Sequence, residues 1–291
     1  VPTIALAIDQ ENAIKSFVSH LTAYIGGETL GLRERRKGIR QRVRDGTQRI
    51  LFTSPESLHY SLREALVQCA QNGLLRMLVI DEAHILDQWG DEFRPAFQEL
   101  AGLRKKLLDC CPGEKFITLL LSATITENVL NTAAVLFGKP GPIAMVSAVQ
   151  LRPEPSFWSV FCETEEIKKE RILDAIHHLP RPLILYTTKK EDTQSWYDLL
   201  NQIGYKRIRS MHGDTDNQKR LEILNQWRER KIDMVIATSA FGLGVDKDDV
   251  RVVIHACVPE NIDRYYQEVG RGGRDGKASL SLMIYTRLDQ T

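Results

Sequence analysis

Residues 77–95 read Met-Leu-Val-Ile-Asp-Glu-Ala-His-Ile-Leu-Asp-Gln-Trp-Gly-Asp-Glu-Phe-Arg-Pro. The apolar run 77–80 predicts a strand, and the adjacent carboxylates of Asp81 and Glu82 follow it directly. In an open α/β sheet, the carboxyl end of a strand faces the ligand crevice. Two acids at that position suit a magnesium ion and an attacking water, which nucleotide hydrolysis requires. The alternative is a strand that ends in solvated acids with no catalytic role.

The loop that follows, residues 88–95, carries two aromatic side chains and a cation, which are Trp89, Phe93 and Arg94. Aromatic rings and a guanidinium on a loop suit stacking against unpaired bases. The loop therefore predicts a contact with single-stranded nucleic acid. The alternative is a loop whose aromatic side chains belong to the core.

Short apolar runs rich in β-branched residues alternate with helical patterns along the chain. This alternation predicts the α/β class, with parallel sheets covered by helices on both faces. The predicted strands are residues 4–8, 50–53, 77–80, 117–121, 183–187, 206–211, 234–238, 250–256 and 279–285. The predicted helices are residues 10–23, 57–71, 165–178, 193–203 and 217–231.

The strand–helix pattern occurs twice, and a chain of 291 residues suits two domains. Proline and glycine are dense between residues 138 and 155, where they break regular structure. We therefore expect the domains to span residues 1–145 and 146–291.

Composition limits the class of protein. Apolar residues make up 43% and charged residues 26% of a chain whose formal net charge is +1, so a nucleic-acid surface must be a local patch. No apolar run reaches the ~18 residues of a membrane span, and no basic-then-apolar secretory leader is present. None of the five cysteines forms a C-x-x-C pair, which argues against a zinc site and for reduced thiols. We expect an intracellular protein of the cytoplasm (the bacterial nucleoid) or the nucleus.

Two hydroxyl side chains, Ser122 and Thr124, follow the predicted strand 117–121. They can hydrogen-bond the carboxylates at another strand end and relay the state of the nucleotide. The alternative is an N-cap for a helix over residues 126–136.

Residues 233–248 combine a strand end at Thr238 with a glycine-rich turn and Asp246. Such a turn can bring backbone N–H groups to a phosphate. Thr238 is placed to bond a phosphate oxygen, and Asp246 a ribose or a water. The alternative is a tight turn between a strand and a helix.

Residues 265–276 read Tyr-Tyr-Gln-Glu-Val-Gly-Arg-Gly-Gly-Arg-Asp-Gly. Arg271 and Arg274 are three residues apart among glycines, which predicts two cations on one side of a helical turn or an open loop. They can stabilise the charge that develops on a transferring phosphoryl group. The alternative is a glycine-rich surface turn.

Residues 33–49 hold eight Lys or Arg side chains against Glu34 and Asp45, a local net charge of +6. Such a segment can follow a phosphate backbone. It can equally be the solvated face of a helix.

In this order the motifs resemble those of superfamily 2 DEAH-box helicases, and among them the RecQ-like ATP-dependent DNA helicases. The resemblance implies two tandem RecA-like domains, each a parallel sheet flanked by helices, the first truncated at its N-terminus. It spans nearly the whole chain and rests on residues 2–6 (motif Ia), 53–56 (T-x-P-E), 81–84 (motif II), 88–95 (the aromatic-rich loop), 122–124 (motif III), 185–187 (motif IV), 238–246 (motif V) and 267–274 (motif VI).

The resemblance also implies ATP and Mg²⁺ as cofactors and single-stranded or duplex DNA as the partner. Asp81 would hold magnesium and Glu82 would activate water. The side chains that couple the nucleotide to domain movement would be His84, Ser122 and Thr124. Further nucleotide contacts would be Gly244, Asp246, Gln267, Arg271 and Arg274. Contacts with DNA would be Thr53, Trp89, Phe93, Arg94 and Thr238. Each ATP cycle would move the motor 3′ to 5′ along one strand and unwind the duplex.

Three features depart from the family pattern. No G-x-x-x-x-G-K-[ST] phosphate loop occurs, and in this family that loop precedes motif Ia. We expect a truncation before Val1, or else a domain that lost its phosphate cradle, and negligible ATP hydrolysis by residues 1–291 alone. Asp91 stands where RecQ-like loops commonly carry a histidine, and no cysteine cluster of the family's zinc module follows motif VI. The competing functions are a non-catalytic nucleic-acid-binding scaffold, a double-strand translocase and an RNA helicase.

Overall fold

The protein falls into two compact units, Val1–Ser147 and Ala148–Thr291. The computed structural model describes residues 4–24, 30–87, 95–147, 150–241 and 247–290. The predicted α/β class is confirmed, because parallel strands alternate with helices in both units.

Unit 1 contains two small parallel sheets in its described residues. β1 (Leu21–Ala23) pairs with β2 (Ile50–Phe52), and β3 (Met77–Ile80) pairs with β4 (Ile117–Leu120). A short 3₁₀ helix, Ala83–Asp87, follows β3. The α-helices are α1 (Ile4–Ile14), α2 (Leu30–Arg44), α3 (Pro55–His59), α4 (Arg63–Gln71), α5 (Pro95–Cys110) and α6 (Glu127–Phe137).

The β3–β4 sheet is covered on one face. Leu78, Ile80 and Leu120 pack into a core with apolar side chains of α5 and α6. Because strand side chains alternate between faces, the intervening residues form a second apolar face. That face is 40% to 62% exposed and consists of Met77, Val79, Ile117 and Leu119. The prediction of sheets covered on both faces is therefore wrong for the described part of unit 1.

Unit 2 contains one parallel sheet of six strands, in the order β5–β10–β9–β6–β8–β7. The strands are β5 (Pro155–Phe161), β6 (Leu183–Tyr186), β7 (Ile208–Met211), β8 (Met234–Ala237), β9 (Val252–His255) and β10 (Ser279–Tyr285). The α-helices are α7 (Glu165–His178), α8 (Lys190–Gln202), α9 (Asn217–Arg228) and α10 (Ile262–Val269).

The strand order of unit 2 reverses at β6. From β6 the chain continues to β7 and β8 on one side, whereas β9 and β10 lie on the other side. The strands β6, β8 and β9 are fully buried, with α7 and α8 on one face and α9 on the other. In open α/β sheets, ligands bind outside the carboxyl ends of the strands at such a reversal. This edge of the sheet is therefore where unit 2 is expected to bind its ligands.

Side-chain caps determine where several helices begin. Thr126 accepts a hydrogen bond from the backbone N–H of Val129 and starts α6, and Asn261 accepts one from Arg264 and starts α10. An N-cap satisfies one of the unpaired N–H groups at a helix start. Since the cap of α6 is Thr126, the alternative in which Ser122 or Thr124 caps that helix is wrong.

Three predictions at the amino-terminal end were wrong. Residues 4–8, predicted as a strand, begin α1, because alanine and leucine favour helix and a short apolar run has no decisive period. The helix predicted over residues 10–23 ends at Ile14, and its last part is β1. The helix predicted over 57–71 is divided into α3 and α4.

The pattern also missed β5, an edge strand whose residues Phe157, Trp158 and Phe161 are exposed rather than alternating in and out. In the parts of the chain that the structure describes, no helix has both the length and the apolar character needed to cross a membrane.

Candidate functional site

The two predicted acids of unit 1 follow β3, beside the carboxyl end of β4. The strands are parallel and in register, with Ile80 opposite Leu120. Beyond the strands, the backbone N–H of Ala83 donates to the carbonyl of Leu121 at 2.8 Å. The fold therefore brings the acidic segment next to residues 122–124, which are 38 to 43 positions away in sequence.

Asp81 accepts two hydrogen bonds that orient its carboxylate. Its Oδ2 accepts from Nε2 of Gln10 on α1 at 3.0 Å, and its Oδ1 accepts from the backbone N–H of Glu82 at 3.1 Å. Sequence patterns did not single out Gln10. Its contact with Asp81 spans 71 residues, and no local pattern reports a contact at that separation.

Glu82 has a φ of 55°, in the left-handed region that side chains other than glycine rarely adopt. Such a conformation costs on the order of 1–3 kcal/mol and occurs preferentially at functional sites. The side chain is 27% exposed, and its Oε2 lies 3.3 Å from Nδ1 of His84. The backbone after β3 thus turns sharply, and this carboxylate lies beside the neighbouring imidazole.

His84 connects the acidic segment to the hydroxyl segment after β4. Its Nδ1 lies 3.1 Å from Oγ of Ser122, and that hydroxyl donates to the carbonyl of Thr124 at 2.6 Å. A serine hydroxyl has one proton, so Ser122 must accept from His84, which places a proton on Nδ1. Oγ1 of Thr124 is buried and has no hydrogen-bond partner in the described residues.

Thr53 follows β2, at the carboxyl end of the other small sheet. The residue is 8% exposed, and its hydroxyl lies 3.5 Å from the carbonyl of Ser54, a marginal hydrogen bond. Ser54 caps α3 by accepting from the N–H of Ser57. The T-x-P-E segment thus forms the junction between β2 and α3.

Thr238 occupies the corresponding position in unit 2, after β8. It is 9% exposed, and its backbone N–H donates to the carbonyl of Met211 at 3.2 Å. The next strand end is tied in the same way, since the N–H of Thr187 donates to the carbonyl of Ala237 at 2.9 Å. Thr238 therefore lies at the carboxyl edge of the sheet, between β7 and β6.

The two predicted arginines lie in the loop that follows α10, which we call the arginine loop (residues 270–276). Arg271 is 7% exposed and Arg274 is exposed. Burial raises the pKa of the Tyr186 phenol at the end of β6, and the guanidinium of Arg271 beside it opposes that rise. Arg271 thus points to the edge where the strand order reverses. Gln267 is half-buried on α10.

Glycines are required in the arginine loop. Gly273 has a φ of 62°, and a Cβ there would lie 2.5 Å from the carbonyl oxygen of Lys277. A Cβ on Gly272 would lie 2.7 Å from Oγ of Ser279. The loop is therefore pressed against the start of β10, which fixes its path.

A buried pair that the sequence did not predict joins α10 to β9. Nε2 of His255 lies 2.9 Å from Oε2 of Glu268, and the two residues are 0% and 5% exposed. The imidazole also stacks on the ring of Tyr186, with centroids 5.3 Å apart. These contacts hold the helix that carries motif VI against the sheet.

Several predicted residues lie outside the described part of the chain. They are Trp89, Asp91, Phe93 and Arg94 of the aromatic-rich loop, Gly244 and Asp246 of motif V, and Pro2 and Thr3 of motif Ia.

The basic segment is mostly helix α2. Three of its cations bind neighbouring side chains: Arg35 donates to Thr22 at 2.9 Å, Arg40 to Tyr24 at 3.0 Å and Arg42 to Gln48 at 2.9 Å. These three arginines therefore help to attach α2 to its own unit.

The carboxylates after β3 fit the ligand chemistry of magnesium. Mg²⁺ prefers oxygen and is usually held by one or two carboxylates, with water and phosphate as the other ligands. Asp81 and Glu82 supply such a pair. Among the described residues, no group of three or more His, Cys, Asp or Glu side chains could hold a metal by itself.

Two family models match the chain. Residues 1–132 match the DEAD/DEAH box helicase model, and residues 167–276 match the helicase conserved C-terminal domain. The chain is 33% identical over 250 residues to "ATP-dependent DNA helicase Q-like 4B" of Arabidopsis thaliana, a match that covers 83% of this chain and 20% of that protein. It is 32% identical to "Probable ATP-dependent DNA helicase RecS" of Bacillus subtilis (strain 168), covering 81% of this chain and 46% of that protein. The chain thus spans less than half the length of these curated relatives.

Solved structures share the fold over nearly the whole chain. The DUF1998 helicase MrfA bound to DNA has a TM-score of 0.75 at 23% identity, over 99% of this chain and 40% of that one. Mss116p bound to ssRNA and AMP-PNP has a TM-score of 0.72 at 18% identity, over 98% of this chain and 58% of that one. The fold is that of tandem RecA-like helicase cores.

Proposed function

The chain belongs to the RecQ-like DNA helicases of superfamily 2, and we propose that it is the motor of an ATP-dependent DNA helicase. Hydrolysis drives 3′ to 5′ movement along single-stranded DNA and unwinding of the duplex. The observation that carries this proposal is the hydrogen-bonded joining of the Asp-Glu-Ala-His and Ser-Ala-Thr segments at the ends of β3 and β4. Residues 1–145 act as the ATP-binding domain, and residues 146–291 as the helicase C-terminal domain.

Asp81 and Glu82 have different roles in the hydrolytic site. Asp81, whose carboxylate accepts a hydrogen bond from Gln10, would hold Mg²⁺. The chemistry that magnesium would supply there is neutralisation of negative charge on the phosphates of ATP. Glu82 takes the proton from the attacking water, and its carboxylate follows a backbone turn with a φ of 55° directly after β3.

His84, Ser122 and Thr124 transmit the state of the nucleotide. The imidazole lies 3.3 Å from the Glu82 carboxylate and 3.1 Å from the Ser122 hydroxyl, so it contacts the segments that follow both β3 and β4. A change of charge at Glu82 therefore alters the hydrogen bond that reaches the Ser-Ala-Thr segment. This network couples the hydrolysis of ATP to domain movement.

Arg271 and Arg274 supply positive charge to the γ-phosphate of ATP during hydrolysis. Charge fixed before the reaction stabilises the transition state without reorganisation. The buried position of Arg271 and the glycine-constrained loop support this role. Gln267, Gly244 and Asp246 complete the contacts of unit 2 with the nucleotide.

Thr53 and Thr238 bind backbone phosphates of one DNA strand, and the residues of the 88–95 loop, Trp89, Phe93 and Arg94, stack on its bases. Both threonines lie at carboxyl edges of parallel sheets, where such folds bind ligands. A DNA substrate suits a protein of the cytoplasm (the bacterial nucleoid) or the nucleus and a role in DNA repair and recombination.

Unwinding assays on tailed duplexes test the substrate and the direction of movement. The full-length protein is expected to open a DNA duplex with a 3′ single-stranded tail in the presence of ATP and Mg²⁺, and to leave the matched 5′-tailed DNA and the 3′-tailed RNA closed. Opening of the RNA duplex in preference to DNA would indicate an RNA helicase. DNA binding that is indifferent to ATP, with no unwinding, would indicate a scaffold.

A second test concerns the phosphate cradle. The sequence contains no G-x-x-x-x-G-K-[ST] motif, whose backbone N–H groups and lysine hold the phosphates of ATP. Purified residues 1–291 are therefore expected to hydrolyse ATP negligibly, with or without DNA. Robust turnover by this protein would show that another segment cradles the phosphates.

A further inference from the structure

Arg152, a residue with no role in the proposed function so far, makes a set of hydrogen bonds to the arginine loop. This residue is the fifth of unit 2 and precedes β5. Its Nη1 donates to the carbonyl of Gly270 at 2.7 Å, and its Nη2 donates to the carbonyl of Gly273 at 2.8 Å. One guanidinium thus bridges two carbonyls of the arginine loop, one at each side of Arg271.

The bridge is itself held in place. Nε of Arg152 donates to Oε2 of Glu154 at 3.2 Å, and its backbone N–H donates to the hydroxyl of Tyr266 on α10 at 3.3 Å. The guanidinium is planar and presents its donors in a fixed fork, so the carbonyls it binds are fixed relative to one another. Gly270 also ends α10, where the unpaired carbonyls and the helix dipole favour a cation.

The arginine loop is also anchored to the segment that leads into β9. The N–H of Gly273 donates to the carbonyl of Val250 at 2.9 Å. Arg251 binds Asp275 at 2.6 Å. The carbonyl of Gly270 accepts a second hydrogen bond, from Nε of Arg274 at 3.3 Å. Arg152 adds two hydrogen bonds to these contacts, and it shares the Gly270 carbonyl with Arg274, one of the two arginines that it would position.

We propose that Arg152 is a positioning residue that fixes the arginine loop so that Arg271 and Arg274 are held ready for the γ-phosphate. This inference rests on the proposed roles of those two arginines. Arg152 does not touch the nucleotide; it acts through the backbone carbonyls of residues 270 and 273. It also bonds the start of unit 2 directly to motif VI.

The test is Arg152→Ala and Arg152→Lys in the full-length protein, with DNA-stimulated ATP turnover as the first readout. We expect kcat to fall by about 10-fold to 100-fold, the range that misplacement of a reacting group costs, with KM for ATP little changed. Lysine keeps the charge but carries its donors on one nitrogen instead of the planar fork of a guanidinium, so it cannot reproduce the two-nitrogen geometry and the fall should persist. The matched control is Arg207→Ala, which removes a 2.7 Å bond to the carbonyl of Arg230 elsewhere in unit 2 and should leave kcat unchanged.

Two further measurements separate positioning from general loss of structure. Amide hydrogen exchange in residues 270–276 should be faster in Arg152→Lys while the rest of unit 2 keeps its protection. In an Arg274→Ala background, Arg152→Ala should lower kcat less than it does alone. An unchanged kcat in both Arg152 variants, or an equal fall in the Arg274→Ala background, would overturn the inference. If the unmodified protein does not hydrolyse ATP with DNA present, the proposed function fails instead, and the exchange result still reports on the loop.

Discussion

Nε2 of Gln10 on α1 donates a hydrogen bond of 3.0 Å to Oδ2 of Asp81 at the end of β3. The carboxylate proposed to hold magnesium is therefore oriented by a helix that lies 71 residues earlier in the chain. Mutation of a residue that orients a metal ligand typically lowers metal affinity by about 10-fold to 100-fold.

Gln10→Ala is expected to raise the Mg²⁺ concentration that gives half-maximal ATP turnover by about 10-fold to 100-fold, because Asp81 loses its orienting donor. The measurement is a Mg²⁺ titration of ATP hydrolysis by the full-length protein. Asn12→Ala, an exposed position on the same helix, is the control and should not change the titration. A superimposable titration for Gln10→Ala would show that Asp81 needs no support from α1.

Ser122→Ala removes the acceptor of the His84 imidazole at 3.1 Å. We expect DNA-stimulated ATP turnover to fall by about tenfold, the equivalent of one hydrogen bond, and unwinding to fall further because coupling is also lost. Ser122→Thr retains the hydroxyl and should restore both. The number of base pairs opened per ATP is the quantity to measure. A fall in turnover with that number unchanged would argue against a coupling role.

Gly273→Ala is expected to destabilise the protein by about 2 kcal/mol or more, since its Cβ would clash with the carbonyl of Lys277 in addition to the strain of a φ of 62°. Gly276 has a φ of 76° but open space around a Cβ, so Gly276→Ala should cost only about 1 kcal/mol. The free energies of unfolding of the two variants, measured in urea, compare backbone strain alone (Gly276→Ala) with strain and a steric clash together (Gly273→Ala). Equal losses would mean that the loop can move away from β10.

The Arg251–Asp275 ion pair makes the stability of the folded protein depend on pH. The hydrogen bond from Arg251 at 2.6 Å holds the pKa of the Asp275 carboxyl below its usual value. Because the folded pKa is lowered, the stabilisation is present above the usual aspartate pKa of about 3.9 and is lost as the pH falls through the lowered value. Asp275→Asn should therefore lower the unfolding midpoint at pH 7, and the difference from the unmodified protein should shrink in acid. A difference that is independent of pH would exclude the ion pair as its source.

The positions of the strands and of the polar residues after them were largely predictable, because hydrophobic patterns are local. β3, β4, β6 and β8 lie within one residue of the predicted ranges, and α7 has the predicted bounds. The amino-terminal segment was not predictable in this way, since an apolar run such as residues 4–8 suits a strand and a helix equally.

The residues that support the site were not predictable from the sequence. Gln10 contacts Asp81 across 71 residues, and Arg152 contacts Gly270 across 118. The sequence pattern placed Gln10 in a predicted helix and Arg152 in the junction between the domains, and neither assignment indicates a contact with the site. Only the tertiary fold brings them to the catalytic segments, so a motif comparison identifies the proposed catalytic side chains and leaves out those that orient them.

The central claim is that Glu82 activates the water that attacks ATP in a DNA-dependent motor. The most direct test measures ATP turnover with single-stranded DNA for Glu82→Gln in the full-length protein, alongside DNA affinity. We expect turnover to fall by about 100-fold or more with DNA affinity unchanged, because glutamine keeps the shape but cannot accept a proton. Glu64→Gln, at an 80% exposed side chain of unit 1, should behave as the unmodified protein. Undiminished DNA-stimulated hydrolysis by Glu82→Gln would contradict the account.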